Sequence, residues 1–121
     1  MVVLSHGASA LAAGPDGKNL YLTYCASCHG VDGQGGGPAA SAFKRDPTDL
    51  TTLARICGAF PLREVMNVID GRRFVAAHGS REMPVWGERF VEELAGTPYP
   101  QRTTLFKVRE IAEYLAAIQR E

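Results

Sequence analysis

At 121 residues and 13.1 kDa, the chain has the length of one domain, and a chain of this size buries about two-thirds of its unfolded surface. Apolar residues at 45% and charged residues at 21% exclude a disordered or coiled-coil chain. Thirteen basic against thirteen acidic residues leave no formal net charge, which argues against nucleic acid binding and against steering onto membranes by bulk positive charge.

The opening stretch, residues 1–13, ends in Ala10-Leu11-Ala12-Ala13 but lacks a basic start, and Ser5, His6 and Gly7 break its apolar run. It reads as a flexible leader, either a trimmed signal remnant or a linker, preceding one domain over residues 14–121. Asp16 is placed to cap a first helix, along which Leu20, Tyr21 and Tyr24 share one face. This helix is expected to run through Cys25-Ala-Ser-Cys28-His29 and stop at Gly30. Glycines at 30, 33, 35, 36 and 37, followed by Pro38, make a loop that neither a helix nor a central strand tolerates.

A helical turn or two fits Leu50–Arg55. Pro61 then opens a helix with Leu62, Val65, Met66 and Ile69 on its apolar side, closed by Gly71. Residues 72–85 read as irregular chain, and a brief helix is expected near Glu88–Leu94. In the last helix, Leu105, Val108, Ile111, Ala112, Leu115 and Ile118 form the buried face, with Thr103 or Thr104 as cap. Alternating strand patterns are missing, and no apolar run approaches the roughly 18–20 residues of a membrane-spanning helix. The expected class is therefore all-α, with about four to five helices and no transmembrane segment.

Three cysteines are an odd number and too few for a disulfide-stapled mini-protein. Two of them stand in Cys25-Ala-Ser-Cys28-His29, the c-type haem attachment pattern. On a helical turn, positions i, i+3 and i+4 share one face. Two thiols there can form thioethers with two vinyl groups, while the His29 imidazole reaches the iron. A zinc site would need four ligands, usually in a second matched pair, whereas Cys57, His6 and His78 are scattered. A thioredoxin-like dithiol would want a βαβ setting, and here a helix leads into a glycine loop.

With these residues in place, the chain resembles the monohaem class I c-type cytochromes. The resemblance is carried by Gly17-Lys-Asn-Leu20-Tyr21, Cys25-Ala-Ser-Cys28-His29-Gly30 and Gly33-Gln-Gly35-Gly-Gly-Pro38. Met83-Pro84-Val85-Trp86 and Glu113-Tyr114-Leu115-Ala-Ala-Ile118 complete it. It implies a compact helical fold enclosing one covalent haem c. It further implies a Pro38 carbonyl that accepts from His29, orienting its ring. The first and last helices are implied to cross closely at Gly17 and Tyr21 against Tyr114.

For the sixth iron position, Met83 lies in a loop stiffened by Pro84. Met66 falls on an inward helix face, where methionine is usually filler. His78 and Cys57 remain alternatives. The resemblance favours Met83, because methionine followed by proline and an aromatic is the family's distal signature. His29/Met83 ligation would give a fairly high potential and a closed iron.

Around the haem, Trp86 is a candidate to cover an edge or to donate its indole N–H, and an ordinary core role fits it equally. Arg45 (with Lys44), Arg72 and Arg73 are candidates to neutralise propionates, against the simpler reading as solvated surface, and Tyr99 is a further donor. Ala26, Val31, Pro84 and Val85 are candidate uncharged contacts at an exposed haem edge. Cys57, set among Ile56, Gly58, Ala59 and Phe60, reads as a buried inert thiol.

The function this resemblance implies is one-electron Fe(III)/Fe(II) transfer by a monomeric periplasmic carrier, not an enzyme. Its partners would be transient ones: a dehydrogenase, a cytochrome complex or a terminal oxidase. One alternative is a permanent haem c module or subunit of a dehydrogenase or oxidase. Another is a haem enzyme or gas sensor with an open iron.

Overall fold

A computed structural model of the chain describes residues 15–73 and 81–121. The expected leader at 1–13 and His78 lie outside them. The helices are α1 (Pro15–Tyr24), α2 (Ala26–His29), α3 (Leu53–Cys57), α4 (Leu62–Asp70), α5 (Trp86–Glu93) and α6 (Pro100–Ala117). A 3-10 turn at Ala40–Ala42 lies in the long connection between α2 and α3. Among the described residues there is no strand, so the architecture is all-α.

The long helix α6 organises the core by packing against α1, α4 and α5. Its buried stripe is Thr104, Val108, Ile111, Ala112 and Leu115, the i, i+4, i+7, i+8 and i+11 positions of one face. Here the structure departs from the expected face. The helix starts a turn earlier than Thr103 or Thr104, behind Tyr99 in the left-handed region (φ 55°) and with Pro100 in its first turn. Thr104 therefore lies in the second turn and takes the inward position, while Leu105 is turned outward at 55% exposure.

Helices α1 and α6 cross where Gly17 meets the backbone of α6. A Cβ at position 17 would stand 2.5 Å from the Glu110 carbonyl oxygen and 3.2 Å from the Tyr114 Cβ. The missing side chain thus permits the close crossing, and Tyr21 packs on Tyr114 with ring centroids 5.3 Å apart. Val65 and Ile69 bury the inner face of α4, with Met66 half-buried against the same core. Gly71 then ends that helix at φ 73°, its N–H donating to the Asn67 carbonyl.

Two other local expectations shift. The helical turn near Leu50–Arg55 forms at Leu53–Cys57, because Asp49 and Thr51 close the preceding turn: the Thr51 N–H and hydroxyl both donate to the Asp49 carboxylate. Cys57, expected to be buried, is exposed at the end of α3. Of the neighbours that implied burial, Phe60 packs against the core, whereas Ile56, Gly58 and Ala59 are exposed, Ile56 at 74%.

Candidate functional site

The segment expected as one continuous helix through His29 is two helices with a turn at Cys25. Backbone pairing nonetheless runs through that turn. The Cys25 N–H donates to the Tyr21 carbonyl, and the His29 N–H donates to the Cys25 carbonyl at 2.9 Å. The i, i+3, i+4 relation of Cys25, Cys28 and His29 therefore survives. The Tyr21 hydroxyl, fully buried, donates to the Gly30 carbonyl at 2.6 Å and ties the end of α2 to α1.

The short helix α2 leaves carbonyls without intrahelical partners, and the glycine loop supplies them with donors. Gly35 N–H reaches the His29 carbonyl (2.7 Å), Gly37 N–H reaches Cys28 (3.1 Å) and Ala39 N–H reaches Ser27 (2.8 Å). Gly37 runs so close to the Ala26 and Ser27 carbonyls that a side chain there has no room. The loop is thus a backbone wrap around the helix that carries the two cysteines and the histidine.

Cys25, Cys28 and His29 line one cavity of about 240 Å³ together with Met83, Pro84 and Trp86 from the segment entering α5. Phe43, Arg45, Pro47 and Thr48 contribute from the connection between α2 and α3. The lining is mostly apolar. Trp86 also packs edge-on to Tyr24 (5.3 Å) and stacks with Phe90 (5.7 Å), so one side chain serves both cavity and core.

His29 Nδ1 lies 2.9 Å from the Thr48 carbonyl oxygen. A carbonyl only accepts, so Nδ1 carries the proton, and Nε2 is left with a free lone pair. This corrects the expected acceptor. Pro38 is exposed and is not among the residues lining the cavity. The glycine loop is spent on α2, and the chain returns to the histidine ten residues after Pro38.

The Thr48 segment is itself braced by the chain's end. Gln119 donates to the Leu50 carbonyl at 2.6 Å, and Arg120 reaches Thr51 Oγ1 and Asp49 at 2.8 and 2.9 Å. The bonds from Thr51, with the Arg120 guanidinium, hold the Asp49 carboxyl below the usual carboxylate range. Sequence reasoning missed this brace. The signal was present as Pro47 followed by Asp49, an Asx residue two positions before Thr51.

Of the basic candidates, only Arg45 lines the cavity. Arg72 is committed to Asp70 through two nitrogens (2.9 and 2.8 Å) and to Gln101 (2.8 Å). Arg73 is exposed, and neither arginine is among the lining residues. Lys44 offers its backbone N–H to Glu82 and does not line the cavity. Tyr99 points outward at 71% exposure. Among the expected edge contacts, Ala26 is buried at 7% exposure and cannot meet a partner, whereas Val31 is 75% exposed.

The donor set fits a covalently held haem better than a simple metal ion. Burial and the neighbouring Cys28 push the Cys25 thiol up to about 12, so in the protein without its cofactor Cys25 is a protonated thiol facing the cavity. Both Cys25 and Cys28 are free of disulfide. Among the described residues, no group of three His, Cys, Asp or Glu gathers to hold a metal. A family model described as cytochrome c oxidase, cbb3-type, subunit III matches residues 12–96. No curated protein and no solved structure matches the chain.

Proposed function

The chain belongs to the cytochrome c oxidase, cbb3-type, subunit III family, and from that premise we propose that it relays single electrons through one haem held at Cys25, Cys28, His29 and Met83. Its cofactor is covalently bound haem c with iron, which supplies an Fe(III)/Fe(II) couple when bound. The division of labour follows from the residues. Cys25 and Cys28 provide thioether sulfurs, and the Thr48 carbonyl fixes the His29 tautomer and ring, leaving Nε2 as donor. Met83 supplies a soft sulfur from a loop stiffened by Pro84. Trp86 and Phe43, which line the cavity, would pack on the haem, and Arg45 beside them would pair with a propionate.

One observation carries this reading: the two cysteines, a histidine with its tautomer set and Met83 all line the same cavity. If His29 and Met83 both held the iron, no position on it would be left for a substrate, which favours a carrier over an open-site enzyme or gas sensor. Met83→Ala tests it. The expected result is loss of the sulfur-to-iron charge-transfer band, a lower potential and new carbon monoxide binding by the reduced protein. Retention of that band in Met83→Ala would remove Met83 from the site.

The family's description supports work beside a terminal oxidase, either as a resident haem c subunit or as a carrier that visits it, and a covalent haem c is in keeping with a periplasmic location. None of the described helices is long and apolar enough to cross a membrane. Leu105 at 55% and Phe106 at 58% exposure are consecutive on α6 and leave apolar surface there that a resident subunit would cover. Co-purification with an oxidase through detergent extraction would support residence, and release as a freely soluble monomer would support the carrier.

A further inference from the structure

We propose that Arg81 is the positioning residue for Met83, clamping the ligand loop to the last turn of α4. This inference rests on the assignment of Met83 as iron ligand. The Arg81 guanidinium donates in two directions at once. One terminal nitrogen bonds the Val68 carbonyl at 2.5 Å; the other bonds the Pro84 carbonyl at 2.5 Å, with a longer approach to Ile69 at 3.5 Å. Val68 and Ile69 are in the final turn of α4, where carbonyls have no intrahelical partner. Pro84 directly follows Met83. A single planar fork therefore joins a fixed helix end to the residue next to the sulfur donor.

The seat for that fork is built into the helix terminus. Gly71 closes α4, and a Cβ there would stand 2.6 Å from the Arg81 guanidinium carbon. The guanidinium thus lies across a bare backbone. The other end of the loop runs close against the same turn. A Cβ at Gly87, in the first turn of α5, would stand 2.7 Å from the Asp70 carboxylate and the Arg72 Nε. Met83 therefore sits between the hydrogen-bonded Arg81 before it and the close packing of Gly87 on the end of α4 after it.

Such a clamp keeps the thioether in place for the iron instead of leaving the loop to sample other positions. Its removal lowers the fraction of molecules with sulfur poised to bind. An external ligand that competes with Met83 then binds more tightly by the same factor.

The test is titration of the oxidised holoprotein with imidazole, alongside the sulfur-to-iron band and the midpoint potential, for the parent, Arg81→Gln, Arg81→Lys and Met83→Ala. Loss of charged hydrogen bonds of this kind predicts a rise in imidazole affinity of about tenfold in Arg81→Gln. The band should weaken and the potential fall, with haem content and helical circular dichroism unchanged. Arg81→Lys keeps the charge but not the fork and should fall between. If Met83→Ala changes all three readouts and Arg81→Gln none, Arg81 does not position the ligand. If Met83→Ala changes none, the ligand assignment fails and takes this inference with it. Should Arg81→Gln fail to fold, an Arg81→Lys protein with parental imidazole affinity overturns the proposal.

Discussion

Substituting Gly17 by alanine probes the crossing of the first and last helices, on which the core depends. The new Cβ would stand 2.5 Å from the Glu110 carbonyl oxygen and 3.2 Å from the Tyr114 Cβ. Neither neighbour is the end of a flexible side chain, so the helices themselves must part. Overpacking of this kind costs about 1–3 kcal/mol, and contact with backbone puts the cost at the upper end. The better helix propensity of alanine returns about 1 kcal/mol, leaving a net loss of about 2 kcal/mol. For a domain of this size that lowers Tm by about 8 °C. Thermal unfolding of the oxidised holoprotein by circular dichroism, beside Lys18→Ala on the exposed face of the same helix, measures it. A Gly17→Ala protein that unfolds at or above the parent temperature would refute the close crossing.

Thr104 is fully buried on α6, and its hydroxyl has no hydrogen-bond partner among the described residues. Because an unpaired buried hydroxyl costs about 1–3 kcal/mol, Thr104→Val should raise Tm; a fall would mean the hydroxyl is engaged. Asp49 and Asp70 are both held below the usual carboxylate range, chiefly by hydrogen bonds from Thr51 and from Arg72 respectively. A depressed carboxyl stabilises the fold above the unfolded value of about 4 and loses that contribution as pH falls through the folded value. Asp49→Asn should therefore unfold at lower temperature than the parent at pH 7, with the gap closing in acid. An equal gap at all pH values would contradict the assignment. Cys57 is exposed while Cys25 is buried, so a thiol reagent should label the native holoprotein once and label Cys57→Ser not at all. Labelling only after unfolding would return Cys57 to the interior.

Much of this arrangement is legible in the sequence, for reasons of periodicity. Cys25, Cys28 and His29 stay on one face because backbone pairing continues through the turn at Cys25. The apolar stripe of α4 and, from Val108 to Leu115, that of α6 follow from spacing, as does the left-handed stop at Gly71. What sequence reasoning misses depends on contacts between distant segments. The glycine loop looks like the source of the histidine's acceptor, yet its amides are consumed in capping α2, and Thr48 accepts instead.

Paired arginines are similarly ambiguous in one dimension. Arg72 has an acid two residues earlier and Gln101 across the fold, whereas Arg45 has the cavity beside it. Cys57 misleads because apolar neighbours suggest burial, while Ile56 is itself turned to solvent. The Arg81 clamp has no signature at all, since its acceptors are backbone carbonyls that any sequence possesses.

Everything proposed for this site depends on Cys25 and Cys28 holding one haem through sulfur. Peptide mass mapping of the acid-acetone-washed protein tests it most directly, using the tryptic peptide from Asn19 to Lys44 that contains both cysteines. This peptide should carry the added mass of one haem, with neither cysteine open to alkylation. A haem lost to the solvent wash, with both thiols recovered free, would contradict it.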